Sequence, residues 1–313
     1  MPASSVRTFT EPDEYALAMR HGTVGLTVKQ RGNFAAKLTR IDLHSLWMQR
    51  FSATLGYTSH VDYWGEEATI AFQTQPGLNI TRNGQEFAYT SVARLNASQS
   101  YYLHSPGPAS YATMSLPLNE LPSLGSVVGR DLTQPKDLLS VMPPPDALAR
   151  VRRLHETAGC LVEDAPAVLA HPEGARGLEQ ALIEAMLDCL GGGEIEEDRT
   201  AQRHHAAIMR RFHRVIEKNP DVPVYITEIC KEVGASTRTL NVCCQEHLGM
   251  APKHYLLLRR MHMVRRALRE STPTETTVTE IATRYGFWQF GRLAGEYKAL
   301  FGEAPSATLA RLP

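Results

Sequence analysis

The last third of the chain carries one short signature twice, about fifty residues apart, and this duplication restricts the fold more than any other feature. The first copy is Ile226-Thr-Glu-Ile-Cys-Lys-Glu-Val-Gly-Ala-Ser-Thr-Arg-Thr-Leu240, and the second is Val278-Thr-Glu-Ile-Ala-Thr-Arg-Tyr-Gly-Phe-Trp-Gln-Phe-Gly-Arg-Leu293. Each copy predicts a short amphipathic helix, a glycine where the chain must turn, and a second amphipathic helix. That is the layout of a helix-turn-helix, whose second helix can lie in a DNA major groove. Two such units on one chain can address two successive groove segments on one face of a duplex. Gly249…Pro252 and Gly302…Pro305 share one spacing, so the repeat runs on past each second helix.

At 313 residues the chain is long for one domain, and two domains are expected. No run of apolar residues reaches the length of a membrane span, and the N-terminus Met-Pro-Ala-Ser-Ser-Val-Arg has no apolar core of an export signal. The net charge of zero hides an asymmetry. Residues 1–200 hold 16 Lys and Arg against 23 Asp and Glu, a net of −7, whereas residues 201–313 hold 17 against 10, a net of +7. A basic C-terminal part suits a polyanion and an acidic N-terminal part repels one. The five cysteines (Cys160, Cys189, Cys230, Cys243, Cys244) have no metal-ligand spacing and read as reduced, cytoplasmic thiols. Cys243-Cys244 could in principle form a redox sensor, but behind Leu240 at helical spacing they read as small core fillers.

The expected fold class is α+β: a β-rich barrel followed by helices, then an all-α domain with two helix-turn-helix units. Residues 1–30 read as irregular and polar. From Ala35 to Leu116 short alternating runs such as Ala68–Phe72, Leu78–Arg82 and Tyr101–His104 predict strands. Asn83-Gly84 between two of them predicts a tight hairpin, because both central positions need φ > 0. Pro117 to Pro145 is a proline-rich connection. Helices are expected from Asp146 and over Gly177–Leu190, the latter with an apolar stripe of Leu178, Leu182, Ala185, Met186 and Cys189. Domain boundaries follow: 1–190 for the β-rich part with its helical end, 191–203 for a flexible acidic Gly-rich linker, and 204–313 for the helical part. In the last, helices are expected over His204–Lys218, over units at about 226–247 and 278–301, and over a long connecting helix Lys253–Glu270 opened by Pro252.

The side chains that would read DNA follow from the stripes. In the first unit Ser236 caps the second helix, and Leu240, Cys243, Cys244 and Leu248 face inward. Thr237, Arg238, Asn241, Val242 and Gln245 are then left outward, and Ser236 at the helix start is expected among the DNA contacts with them. In the second unit Leu293, Tyr297 and Phe301 form the inner stripe, leaving Gln289, Phe290, Gly291, Arg292, Glu296 and Lys298 outside. Arg238 and Arg292 are the preferred base readers, since a guanidinium can grip guanine O6 and N7 together, and Asn or Gln can do the same for adenine. Phe290 can touch a thymine methyl or close the helix-pair core. Lys298, Arg210-Arg211 and Arg265-Arg266 are candidate phosphate contacts, which position without specifying. Each also fits a plain solvated basic side chain.

The segment from about His205 to Leu312 resembles the DNA-binding domain of the AraC/XylS transcription regulators. The shared pattern is Ser236-x-Arg238-x-Leu240, Gly249-x-x-Pro252-x-x-Tyr255, Arg259-Arg260 with Ala267, Ile281-Ala282…Gly286-Phe287, and Tyr297-Lys298…Phe301-Gly302-Glu-x-Pro305-Ser306. Three positions depart from it: Cys244 where phenylalanine is common, and Val242 and Gly295 where arginine is common. Roles carried by those two arginines do not transfer here. The N-terminal part resembles, in order and architecture only, the cupin-like sensor domains that precede this domain in many members. There a small molecule binds the barrel and a following helix dimerises.

The resemblance implies a cytoplasmic, effector-responsive regulator, an activator and homodimer, with double-stranded promoter DNA and RNA polymerase as partners and a small molecule as effector. No effector-binding residue, membrane contact, catalytic residue or cofactor is assigned. His21, His44, His60 and His104 lack the His-x-His pairing of a metal-binding barrel, so no metal is expected. An enzyme with a cupin-like barrel is the alternative, and it lacks a metal triad or nucleophile–base pair. A DNA-repair methyl acceptor would need a reactive thiol, and Cys160 and Cys189 lie in acidic or apolar stretches. A non-specific architectural DNA protein is a further alternative, against which stands the difference between the two second helices.

Overall fold

A computed structural model describes residues 3–20, 22–95, 99–120, 139–165, 167, 169, 171–191, 194–196, 200–218 and 222–311. The N-terminal part is built on two antiparallel sheets. The larger runs β1(Ala3–Phe9)–β3(Ala36–Asp42)–β4(Trp47–Ala53)–β11(Ala109–Pro117)–β6(Glu67–Gln73)–β9(Val92–Leu95)–β12(Leu139–Met142)–β13(Glu194–Glu196). The smaller runs β2(Gly22–Val28)–β5(Tyr57–Tyr63)–β10(Gln99–Ser105)–β7(Thr81–Arg82)–β8(Gln85–Glu86).

Alternation along the strands of the larger sheet sends side chains to two different cores. Ile70 and Phe72 of β6, Met48 of β4 and Ala112 and Met114 of β11 face helices α2 (Pro145–Asp164) and α3 (Pro172–Gly191). Ala71, Phe51 and Ala109 face the smaller sheet, where Leu26, Val28, Tyr57 and Leu103 meet them. A strand covered on both faces has no polar side to show, hence the nearly continuous apolar run Ala68–Phe72. The stripe Leu182, Ala185, Met186 and Cys189 is buried against this sheet, together with Leu148 and Val151 of α2.

The Asn83-Gly84 turn forms as expected, with φ of 50° and 79° joining β7 to β8. Three expectations need correction. Residues 1–30 are not irregular: β1, helix α1 (Pro12–Leu17) and β2 lie there. β1 is an edge strand exposed along nearly its whole length, so it has no apolar alternation to betray it. Within the expected linker 191–203, Glu194–Glu196 pairs with β12, placing Ile195 opposite Val141. The first C-terminal helix, α4 (Thr200–Glu217), opens four residues earlier than expected. Most of the proline-rich connection, Asn219-Pro220, His21 and much of 191–203 lie outside the described residues.

The helical part continues with α5 (Ile226–Val233), α6 (Thr237–Leu248), α7 (Pro252–Arg269), α8 (Val278–Arg284), α9 (Phe290–Phe301) and α10 (Pro305–Leu309). One core joins them. Ile208, Met209, Phe212, Val215 and Ile216 line one face of α4 at helical spacing, against Ile229, Leu240, Cys243, Cys244 and Leu248. Met261, Val264 and Leu268 of α7 reach across to Ile281, Ala282, Leu293 and Tyr297. Tyr102 of β10 is buried in the same cluster, so the smaller sheet is the face on which the helical part docks. Among the described residues no helix is long and apolar enough to cross a membrane.

Candidate nucleic-acid interface

Each unit is shaped by caps that its sequence encodes. Glu228 accepts a hydrogen bond from the Tyr225 N–H at 3.2 Å, fixing the start of α5. In the second unit the box is complete: Thr277 Oγ1 accepts from the Glu280 N–H at 3.2 Å, and Glu280 Oε2 from the Thr277 N–H at 2.8 Å. Those bonds to the ionised form hold the Glu280 carboxyl below its ordinary range. Gly234 ends α5 with φ of 67°, a conformation that favours glycine, and Gly286 turns the second unit at 74°.

α6 begins on Ser236, whose Oγ accepts from the Thr239 N–H at 3.1 Å. Capping uses that oxygen, so Ser236 shapes the reading helix more than it reads. Thr237, Arg238, Val242 and Gln245 are exposed on the outer face, opposite buried Leu240, Cys243, Cys244 and Leu248. Asn241 is half-buried and its Nδ2 donates to Thr237 O at 2.8 Å, which engages the amide on its own helix.

On α9 the exposed side is Gln289, Phe290, Gly291, Arg292, Ala294, Gly295 and Lys298, with Glu296 half-buried. Arg292 Nε donates to Glu296 Oε1 at 2.8 Å, an exposed i,i+4 pair. Such a pair contributes only about 0.3–0.5 kcal/mol, so a guanine edge can displace it. No atom lies within 4 Å of where a side chain at Gly291 or Gly295 would begin, and this face is open to close approach by a large ligand. Phe290 is exposed rather than closing the core. Trp288, 77% exposed at the mouth of α9, was not singled out from the sequence.

The phosphate candidates divide. Lys298 and Arg210 are exposed. Arg265 and Arg266, expected to contact phosphate, are turned away from it. Arg265 donates to both carboxylate oxygens of Glu11 and to Glu303 Oε1, while Arg266 is paired with Asp13. Arg269 completes the patch on Glu11 and Glu14. The acidic helix α1 thus occupies the basic face of α7, a pairing that no local pattern could reveal.

The two parts touch at other points. Thr58 Oγ1 donates to Leu248 O at 3.0 Å, at the end of α6, and His262 Nε2 lies 3.2 Å from Val28 O. The His104 ring packs where a side chain at Gly249 would start. Burial pushes His262 and His104 down from their ordinary range, the latter to about 4 with the Lys29 ammonium adding to the effect. Burial also raises the Cys189 thiol to about 12, far from the thiolate that a methyl acceptor needs.

Residues 229–311 match a family model described as a helix-turn-helix domain. The chain is 35% identical over 161 residues to the probable thc operon regulatory protein of Rhodococcus erythropolis, covering 49% of this chain and 48% of that one. It is 35% identical over 101 residues to XylDLEGF operon transcriptional activator 2 of Pseudomonas putida, covering 31% of this chain and 64% of the other. The match thus spans about half of the first relative and less than two thirds of the second. Among solved structures, the AraC-like transcriptional activator CuxR aligns over 83% of this chain and 94% of its own, at 12% identity and a TM-score of 0.43. With the paired helix-turn-helix units and their open outer faces in place, the sequence likenesses place the C-terminal part of the chain with the DNA-binding domains of AraC/XylS-type transcription regulators.

Proposed function

We propose that the chain is a sequence-specific, effector-responsive transcription activator that reads two adjacent major-groove segments of promoter DNA with α6 and α9. The observation that carries the reading is a pair of outward-facing helices with different exposed side chains on one shared core, the first of them capped by Ser236. Arg238 and Arg292 are the principal base readers, with Thr237, Gln245, Gln289 and Phe290 beside them and Lys298 on phosphate. Asn241 contributes after releasing its bond to Thr237 O. Activation is favoured because the P. putida relatives are named as activators.

On this reading the division falls between β13 and α4, and the part up to Glu196 is the cupin-like sensing and dimerising one. The protein acts in the cytoplasm as a homodimer, with RNA polymerase as a partner and no enzymatic step. The docking of α7 and α6 on the smaller sheet supports coupling between an effector and the reading helices, since a ligand that favours one docking geometry shifts the populations of both. The test is selection of bound fragments from the source genome, followed by footprinting of a recovered site. Two protected groove segments per protomer, separated by about one helical turn, are expected. A single protected groove, or no preferred sequence, overturns the proposal.

A further inference from the structure

Where the two parts meet, four side chains of metal-ligand chemistry converge from two elements that the chain places far apart. His60 and Asp62 are two residues apart on β5 and project from the same face of the strand. His213 and Glu217 are one turn apart on α4 and share a side of the helix. His60 Nδ1 lies 3.5 Å from Asp62 Oδ2, which lies 3.5 Å from His213 Nε2. Glu217 Oε1 is 3.7 Å from the same His213 nitrogen. One donor atom each of His60, Asp62 and His213 falls within 4.8 Å of the other two.

Those spacings have a chemical meaning. Zinc binds imidazole nitrogen and carboxylate oxygen at about 2.0–2.2 Å, which puts neighbouring donors of a tetrahedral site roughly 3.3–3.6 Å apart. Two 3.5 Å edges meeting at Asp62 Oδ2 match that figure, and they are too long for ordinary hydrogen bonds. Neither nitrogen of His213 has a hydrogen-bond partner, although both are buried. Such groups are rare in native proteins and point to an ion or water. Asp62 is also oriented: Ser100 Oγ donates to its Oδ1, leaving Oδ2 to the histidines. That is the outer support that metal-binding carboxylates ordinarily have. The Arg259 guanidinium also acts on His213 and opposes a cation there, whereas the Asp62 and Glu217 carboxylates favour one.

We propose that His60, Asp62 and His213, with Glu217 or water in the fourth position, bind one divalent zinc-class ion that ties the smaller sheet to the first helix of the DNA-binding part. The stacked imidazoles, with centroids 3.1 Å apart, part to seat the ion. Bound there, it fixes the sheet that carries Thr58 and His104 against α4, and so against the core that positions α6. The binding itself does not depend on the regulatory reading.

The experiment uses the full chain, stripped with a chelator and then titrated with Zn²⁺ against a chromophoric competitor. Co²⁺ is added in parallel to report geometry. One ion per chain is expected, with the visible bands of tetrahedral Co²⁺ and no near-ultraviolet thiolate charge transfer. His213→Gln and Asp62→Asn should each weaken Zn²⁺ binding about tenfold or more while leaving the metal-free melting temperature and circular dichroism unchanged. No stoichiometric uptake by the wild-type chain overturns the proposal, as does a thiolate band, or variant affinities equal to the wild type. Footprinting of a selected site with and without Zn²⁺ is a separate arm, and failure to bind any preferred DNA there would count against the regulatory reading alone.

Discussion

Arg265 and Glu11 form a two-pronged ion pair across 254 residues of sequence, Nε to Oε2 at 3.1 Å and Nη2 to Oε1 at 2.8 Å. Both side chains are nearly buried, 11% and 8% exposed, and Glu303 takes the remaining edge of the guanidinium at 3.0 Å. These contacts and its hydrogen bonds to Glu11 hold the Arg265 guanidinium ionised, against the desolvation that opposes charge. A buried pair of this kind is a strong constraint on geometry because breaking it strands a charge. Glu11→Gln should therefore destabilise the full chain by roughly 3 kcal/mol, at the low end for a broken buried pair since Glu303 remains. Denaturant unfolding of the two proteins measures it, and a loss below about 0.5 kcal/mol would show that α1 does not clamp α7.

Gly234 and Gly249 offer an internal control. Both end a helix in the left-handed region, at φ of 67° and 66°, but only Gly249 faces the other part of the protein. Nothing lies within 4 Å of a side chain added at Gly234, whereas one at Gly249 meets the His104 ring. Gly234→Ala should cost about 1 kcal/mol, the strain of an alanine in that backbone conformation. Gly249→Ala should cost clearly more and should loosen the docking of α6, visible as faster amide exchange in β10 and at the end of α6. Equal costs would mean that the His104 contact contributes nothing.

At the DNA, Arg238→Ala and Arg292→Ala should each weaken binding to a selected site by about 1–3 kcal/mol and relax preference at one base pair. Lys298→Gln should weaken specific and random DNA alike and lower the salt slope by about one. Arg265→Gln should leave that slope unchanged, because its guanidinium is committed to Glu11 and Glu303. Binding titrations across salt concentration separate these outcomes, and equal losses on specific and random DNA for Arg238→Ala would remove it as a base reader.

What was legible in the chain follows the range of the interactions. Caps, turns and helical stripes are local, so both units, the Asn83-Gly84 turn and the inward set Leu240, Cys243, Cys244 and Leu248 could be read directly. β1 could not, because an edge strand exposed on both sides has no period to detect. Arg265 and Arg266 look like phosphate contacts in the sequence because basic pairs on a helix are alike whether they face DNA or an acidic helix. Their partners Glu11 and Asp13 lie at the opposite end of the chain. The absence of His-x-His spacing likewise says nothing about a cluster assembled from β5 and α4, and His60 meets His213 only once the two parts have docked.

Acid should weaken the fold through histidines that are buried uncharged. His155, fully buried between α2 and the larger sheet, is pushed from 6.5 down to about 3, first by burial and then by the neighbouring Arg50. His247 on the inner face of α6 is lowered to about 4, chiefly by burial. The unfolded chain binds these protons more readily than the folded one, so stability is complete above about pH 6.5 and falls as pH drops toward the folded values. By pH 5 each group should have removed about 2 kcal/mol. Unfolding midpoints measured from pH 7 to pH 5 should decline steadily, and His155→Gln should remove only its own share of the decline, since His60, His104, His213 and His262 are lowered by burial as well. A flat profile in the wild type would mean that both rings find water or charged partners in solution.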